Sequence, residues 1–337
     1  MSQFQRFYRF EFWPFWLFYI PAYFNWAILA LKARYTTYFT ATNPIMNNSG
    51  AVNTSKYSYL RKLPKTWYPP TLSIERSISF TALTAQLDKE KRSFPLVLKP
   101  DNGERGKGIY LVNNAQELKE ALTVSKHNKL LLQTYCDYPN EVALLYTRFP
   151  HQKKGCISSI TTKGFCCLVG DGIRTWEALL KAEIRVAHRW ETIKARANLE
   201  WNEISVLDEK RLIEPIGSHN LGTKFNDGKQ LNTKALCDLL DHWANQLPGF
   251  YYGRFDVKYL NWDSLLNGEN FQLMEINGVN AEPTHIYDAN YSIIQAYKDI
   301  FSHMKIIYEI SEQNRRLGIS PKRLKPFLTE LIQTALR

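Results

Sequence analysis

The chain has 337 residues, 45% of them hydrophobic, with a formal net charge of +11 and a pI near 9.3. That supplies a large core in one or two lobes, and the basic balance favours acidic partners such as a nucleotide or an anionic lipid. The basic residues are scattered apart from a modest cluster at 322–325, which argues against nucleic acid; five cysteines with no CxxC pair argue for reduced thiols, and seven histidines show no zinc-binding spacing.

Residues 12–31 read FWPFWLFYIPAYFNWAILAL and carry no charge. A length of about 20 suits a membrane span, but Pro14, Pro21 and Asn25 interrupt it, and Trp and Tyr favour the headgroup zone. No small-residue cleavage site follows. Three readings stay open: an interfacial anchor, a true span, or an apolar arm packed on the body or a partner. Lys32, Arg34 and Lys56 downstream suit an anionic cytoplasmic leaflet.

A polar linker at 40–55 leads to SKYSYLRKL, a short helix with Ser55 as its cap. Residues 73–86 read as mostly helical. FPLVLK at 94–99 is a buried strand, followed by the basic, glycine-rich PDNGERGKG and a strand IYLV. Asn114 caps a helix, and KLLLQTY at 129–135 is an apolar strand. Further strands are expected at 141–148, 155–161 and 164–169. A tight turn at Gly170–Asp171–Gly172 precedes a helix at 175–181, and amphipathic helices are expected at 232–247 and 291–310. A basic helix follows Ser320. Between these helices, 253–283 reads GRFDVKYLNWDSLLNGENFQLMEINGVNAEP, two alternating runs around a polar loop. Strand periodicity puts Arg254, Asp256 and Lys258 on one face of the first run, and Phe271, Leu273, Glu275 and Asn277 on one face of the second. Asp256, Glu275 and Asn277 offer hard oxygen ligands of the kind Mg²⁺ takes.

Lys99 at the end of a buried strand can meet a phosphate as a point charge, and the glycine loop after it can turn backbone N–H groups toward phosphates. It is neither a Walker loop nor a dinucleotide fingerprint. The order of these pieces over roughly 55–310 resembles the ATP-grasp superfamily of carboxylate–amine ligases, such as D-alanine–D-alanine ligase and cyanophycin synthetase. The resemblance implies an α+β fold of two lobes with ATP between them and with Mg²⁺. It implies domains at 46–135 and 136–312, preceded by the hydrophobic, membrane-associating segment 1–45 and followed by a basic helix at 313–337. Nucleotide contacts fall on Lys56, Lys99, Gly103, Arg105, Gly106, Lys107 and Gly108. They continue on the hinge residues Gln133, Thr134, Tyr135 and Cys136, and on Glu141 for the ribose. Metal ligands fall on Asp256, Glu275 and Asn277, and Arg254 faces the transferred phosphate with Lys99. VGDGIRTWEALL at 169–180 is similar to a segment of cyanophycin synthetase.

The implied reaction is amide formation through an acyl phosphate. It needs no side-chain nucleophile, and the sequence suggests no Ser/His/Asp or Cys/His arrangement. Glu282 and His285 stand close behind the metal strand as possible substrate contacts. Relatives place a full α/β domain before the ATP site, whereas here about 50 residues precede Lys56. The substrates are therefore expected to be small or lipid-linked carboxylates and amines, met at the cytoplasmic face of a membrane. A hydroxyl-phosphorylating kinase or a non-catalytic membrane scaffold are the alternatives.

Overall fold

The computed structural model describes residues 9–103, 108–183, 185–196 and 199–335. Its first lobe is an antiparallel sheet in the order β1-β4-β2-β3, built from β1 (Thr71–Glu75), β2 (Leu96–Pro100), β3 (Tyr110–Val112) and β4 (Lys129–Thr134). The segment expected to be helical from 73 begins as β1, because TLSIE alternates buried and exposed residues and pairs along β4 from Thr71–Gln133 to Glu75–Lys129. The helix itself starts at Phe80 (Phe80–Lys89), where the Ser79 side chain accepts from Ala82 N–H. A second helix, Ala115–Val124, is capped by Asn114 as expected. Leu83, Leu87, Leu118 and Ala121 from the two helices meet Leu96, Leu98, Leu130 and Leu132 of the sheet in one apolar core.

The second lobe is a five-stranded antiparallel sheet in the order β11-β10-β5-β6-β9. Its strands are β5 (Asn140–Thr147), β6 (Cys156–Gly164), β9 (Lys224–Asp227), β10 (Tyr252–Tyr259) and β11 (Phe271–Asn277). Between β6 and β9 in the chain, a hairpin of β7 (Cys166–Val169) and β8 (Lys210–Glu214) forms its own small sheet with a helix at Trp176–Ala182. The helix Lys234–Asn245 covers the main sheet through Leu236, Leu240 and Trp243, which pack on Val142, Leu144, Phe255, Phe271 and Leu273. The short helix Lys56–Leu60, capped by Ser55, belongs to this same core through Tyr59 and Leu60.

One register detail overturns a sequence expectation. Phe271 and Leu273 do not share a face with Glu275 and Asn277. The pairing of β10 with β11 runs Val257–Leu273 and then Asp256–Glu275, so Met274 is an extra residue in a β-bulge. The bulge inverts the alternation. Phe271, Leu273 and Ile276 point into the core, while Glu275 and Asn277 emerge on the face of Asp256. Behind Asn277 the backbone of the 47–50 turn crosses so closely that a Cβ on Gly50 (φ +86°) would lie 2.6 Å from Gly278 Cα, which leaves room only for glycine.

The aromatic N-terminal segment forms a helical turn at Phe15–Phe18 and then a helix at Ile20–Ala33. Tyr19 separates them, and Pro21 falls in the first turn of the longer helix. At 14 residues that helix is about 21 Å long, short of the roughly 30 Å of a bilayer core. Among the described residues no helix is long and apolar enough to cross a membrane, so the expected possibility of one spanning helix is not realised. One face buries Phe18, Ala22, Leu29, Ala30 and Ala33 against Ile300, Ile307 and Ile310 of the long helix Ile293–Arg316. Asn43 then staples this region to β10, accepting from Tyr251 and Tyr252 N–H and donating to Tyr252 O at 2.7–3.0 Å.

Trp243 is fully buried among Trp67, Phe255 and Phe271, with the Phe271 ring centroid at 4.8 Å. Trp243→Ala is expected to lower the unfolding free energy in urea by about 3–5 kcal/mol through the cavity it leaves. A loss under about 1 kcal/mol would show that this cluster does not hold the second lobe.

Candidate active site

Lys99 lies on β2 beside Leu131 of β4. Its ammonium donates to Gln133 Oε1 at 2.9 Å and to the carbonyl of Met274, the bulge residue, at 3.4 Å. One side chain thus joins the two sheets at the point where β11 is distorted. Burial pushes its pKa down to about 8; Glu275, Glu141 and Asp101 pull it back up, and Lys56 adds to the depression. Gln133 is itself fixed, its amide donating to Thr71 Oγ1 at 2.8 Å. Lys56 pairs with Glu275 at 2.7 Å. Its helix is oriented by Asp101, whose main-chain oxygen accepts from Lys56 N–H and whose side chain accepts from Tyr57 N–H. The sequence reading passed over Asp101, although it follows Lys99-Pro100 directly. Gly103 and Gly108 both fold against Pro100. Arg105, Gly106 and Lys107 lie outside the described residues.

Asp256 is buried on β10. It accepts from Lys163 Nζ at 2.8 Å, Arg254 Nε at 3.0 Å and Asn277 Nδ2 at 3.2 Å. Burial alone would raise its pKa; Arg254 and Lys163 overcome that and hold it well below the ordinary carboxylate range. Glu275 is likewise lowered against the effect of burial, chiefly by Lys56. Lys163 also holds Glu141 at 2.5 Å, and both side chains are buried. Burial opposes its charge, yet Asp256 and Glu141 together raise its pKa above the usual lysine value. The sequence reading also missed Lys163, which ties Asp256 to Glu141. The signal was the register of β5 on β6, which sets Glu141 opposite Lys163. The expected ribose ligand Glu141 is thereby committed to an ion pair, with Gly217 packed directly over its carboxylate.

The structure therefore gathers Lys56, Lys99, Arg254, Asp256, Glu275 and Asn277 around one bulge. Two carboxylates and a carboxamide are hard donors that fit Mg²⁺ chemistry. Among the described residues no three His, Cys, Asp or Glu form a metal cluster, so phosphate or water oxygens would have to complete an octahedron. The carboxylates Glu141, Asp256 and Glu275 are each paired with cations drawn from Lys56, Lys163 and Arg254, while Lys99 is held by Gln133 and the Met274 carbonyl.

At the end of β4, Thr134 N–H donates to Pro70 O at 2.9 Å and Tyr135 N–H to Pro95 O at 3.2 Å. The Cys136 carbonyl accepts from Lys258 Nζ at 3.0 Å. Lys258 lies 5.1 Å from both the Tyr135 and Phe165 ring centroids, within cation–π range.

Contrary to the sequence reading, a Ser/His/Asp arrangement does exist. Ser159 Oγ lies 2.6 Å from His285 Nδ1, and His285 Nε2 lies 3.2 Å from Asp299 Oδ2. Periodicity could not reveal it, because the three residues come from β6, the turn after β11 and the long helix. Ser159 is only 6% exposed and His285 7%. The triplet pins these elements together beneath the site and offers no open nucleophile.

Residues 37–147 match the sequence profile of the Tubulin-tyrosine ligase family. No curated protein matches. Among solved structures, the chain is similar to D-alanine–D-alanine ligase from Bacillus anthracis, at 14% identity and a TM-score of 0.43, over 78% of this chain and 68% of that one. It is similar to the VanG D-Ala:D-Ser ligase from Enterococcus faecalis at 11% identity and a TM-score of 0.44, over 81% of this chain and 64% of that one. The bifunctional glutathione synthetase from Pasteurella multocida gives 14% and 0.36, over 73% of this chain, which spans only 36% of that longer protein. The profile match includes Lys56, Lys99 and Glu141 and ends before Arg254, Asp256, Glu275 and Asn277.

Proposed function

We propose that the protein joins a carboxylate to an amine with consumption of ATP, through an acyl phosphate, beside a membrane surface. The observation that carries this reading is the Met274 bulge, which sets Glu275 and Asn277 on the face of Asp256 and offers its carbonyl to Lys99. Lys56 and Lys99 hold the phosphates. Asp256, Glu275 and Asn277 would hold Mg²⁺, which would supply charge neutralisation at the phosphates. Lys56 leaves Glu275 for the phosphates as the nucleotide arrives. The substrate carboxylate oxygen attacks the γ-phosphorus and ADP departs. Arg254, fixed by Asp256, faces the charge in transfer. The amine nitrogen then bonds to the carbonyl carbon, and the carbon–oxygen bond to phosphate breaks.

Membrane attachment is supported by the outer face of the N-terminal helix. Trp16 is 64% exposed, Phe24 70% and Leu31 79%, with Ile20, Tyr23 and Ile28 between them. Exposed Lys32 and Arg34 lie at the end of that helix. An apolar face with basic flanks suits a helix lying in the plane of an anionic interface. A substrate presented there would be lipid-linked.

Glu275→Gln keeps the side-chain shape and is expected to cut Mg²⁺-dependent ATP turnover by about 100-fold or more. Urea stability should change far less. Turnover at the native rate would remove Glu275 from the site. For attachment, the full chain should sediment with phosphatidylglycerol vesicles, and Trp16→Ser, Phe24→Ser and Leu31→Ser combined should abolish this while ATP still binds. Point substitutions are the apt test, because removing residues 1–35 would also strip the buried inner face of the helix. Failure of the full chain to sediment would sink the membrane reading and leave the ligase reading standing.

A further inference from the structure

The ligase reading leaves the amine without a binding group, and the turn after β11 supplies one. Arg254 reaches two ways: its Nε donates to Asp256, and its Nη1 donates to the main-chain oxygen of Glu282 at 3.4 Å. Glu282 is therefore the next residue along from the guanidinium that faces the transferred phosphate. Its side chain is partly buried and accepts from the Tyr287 hydroxyl at 2.6 Å. Neither the nucleotide contacts nor the metal set uses it.

A second group points to the same carboxylate from the N-terminal segment. The Tyr19 hydroxyl is buried beside Glu282 and Tyr287, and burial together with these two neighbours holds its pKa well above the usual phenol value. The wall continues outward. The Tyr287 ring packs on Phe18 and His219, His219 lies against Glu11, and Glu11 pairs with Arg185. The N-terminal segment thus packs against the turn that carries Glu282.

We propose that Glu282 binds the amine substrate as its ammonium ion, and that Tyr19 and Tyr287 orient the carboxylate for it. The class of acceptor is a cationic primary amine, held one residue's reach from the acyl phosphate. This rests on the ligase reading. In the step itself the nitrogen–carbon bond forms and phosphate leaves with the electron pair of the broken carbon–oxygen bond. Of the three ammonium protons, one stays on the amide nitrogen, one ends on phosphate and one passes by way of Glu282 to solvent.

The test uses the full chain with Mg·ATP and a panel of amino-acid and hydroxy-acid carboxylates, scored by ADP release. Methylammonium serves as the cationic amine probe and hydroxylamine as the uncharged one. Glu282→Gln is expected to raise the KM for methylammonium relative to hydroxylamine by about 10- to 100-fold, the worth of a charge-assisted contact. Glu282→Asp should recover part of that loss, and Tyr19→Phe should show a smaller shift in the same direction. An unchanged KM ratio in Glu282→Gln, with ADP release retained, overturns the amine site and leaves the ligase reading intact. No carboxylate-dependent ADP release from the unaltered chain overturns the ligase reading and the amine site with it.

Discussion

Asp256 is a carboxylate taken out of water, and it stays ionised because Lys163, Arg254 and Asn277 all donate to it. Removing one partner of a buried ion pair typically costs about 3–5 kcal/mol, since the other charge is left uncompensated. The second lobe is arranged around that requirement. β6 brings Lys163, which also neutralises Glu141 on β5. β10 brings Arg254 two residues away on the same face. β11 brings Asn277, and it can do so only because Met274 bulges and shifts the parity of everything after it. Lys99 from the first lobe then finds the bulge carbonyl. The two lobes meet where a run of buried charge would otherwise be unpaired.

These charges also set the response to pH. The depressed pKa values of Asp256 and Glu275 mean that their stabilisation is complete above the ordinary carboxylate range and is lost as pH falls through their lowered values. Lys99 acts in the other sense. Its pKa is lowered from 10.5 to about 8, so its charge costs stability below that value. The cost is relieved as pH rises from about 8 toward 10.5. A nucleotide phosphate would remove the same cost by supplying a counter-charge.

Much of the fold was legible because it rests on local rules. Ser55, Asn114 and Thr175 cap helices as their side chains allow, and the apolar runs at 94–99, 129–135 and 141–148 became strands. The strand at Thr71–Glu75 was hidden because a helical pattern follows it within five residues. The chemistry was legible in part. Lys56, Lys99, Arg254, Asp256, Glu275 and Asn277 converge, although simple alternation had grouped Glu275 and Asn277 with Phe271 and Leu273. Lys163 and the Ser159–His285–Asp299 line needed strand register and tertiary contact, which no single-residue pattern carries. The N-terminal segment was ambiguous for a physical reason: both of its faces are apolar, and only packing reveals which one the protein keeps for itself.

The central claim is that the cleft at the bulge binds nucleotide phosphate through Lys99. Calorimetric titration with Mg·ATP in buffers of different ionisation enthalpy tests it directly, since phosphate should raise the Lys99 pKa and draw in a proton. Near pH 8 the account predicts uptake of about half a proton, fading by about two pH units lower and absent in Lys99→Met. ATP binding with the same proton uptake in Lys99→Met as in the unaltered chain, or no ATP binding at all, would contradict it.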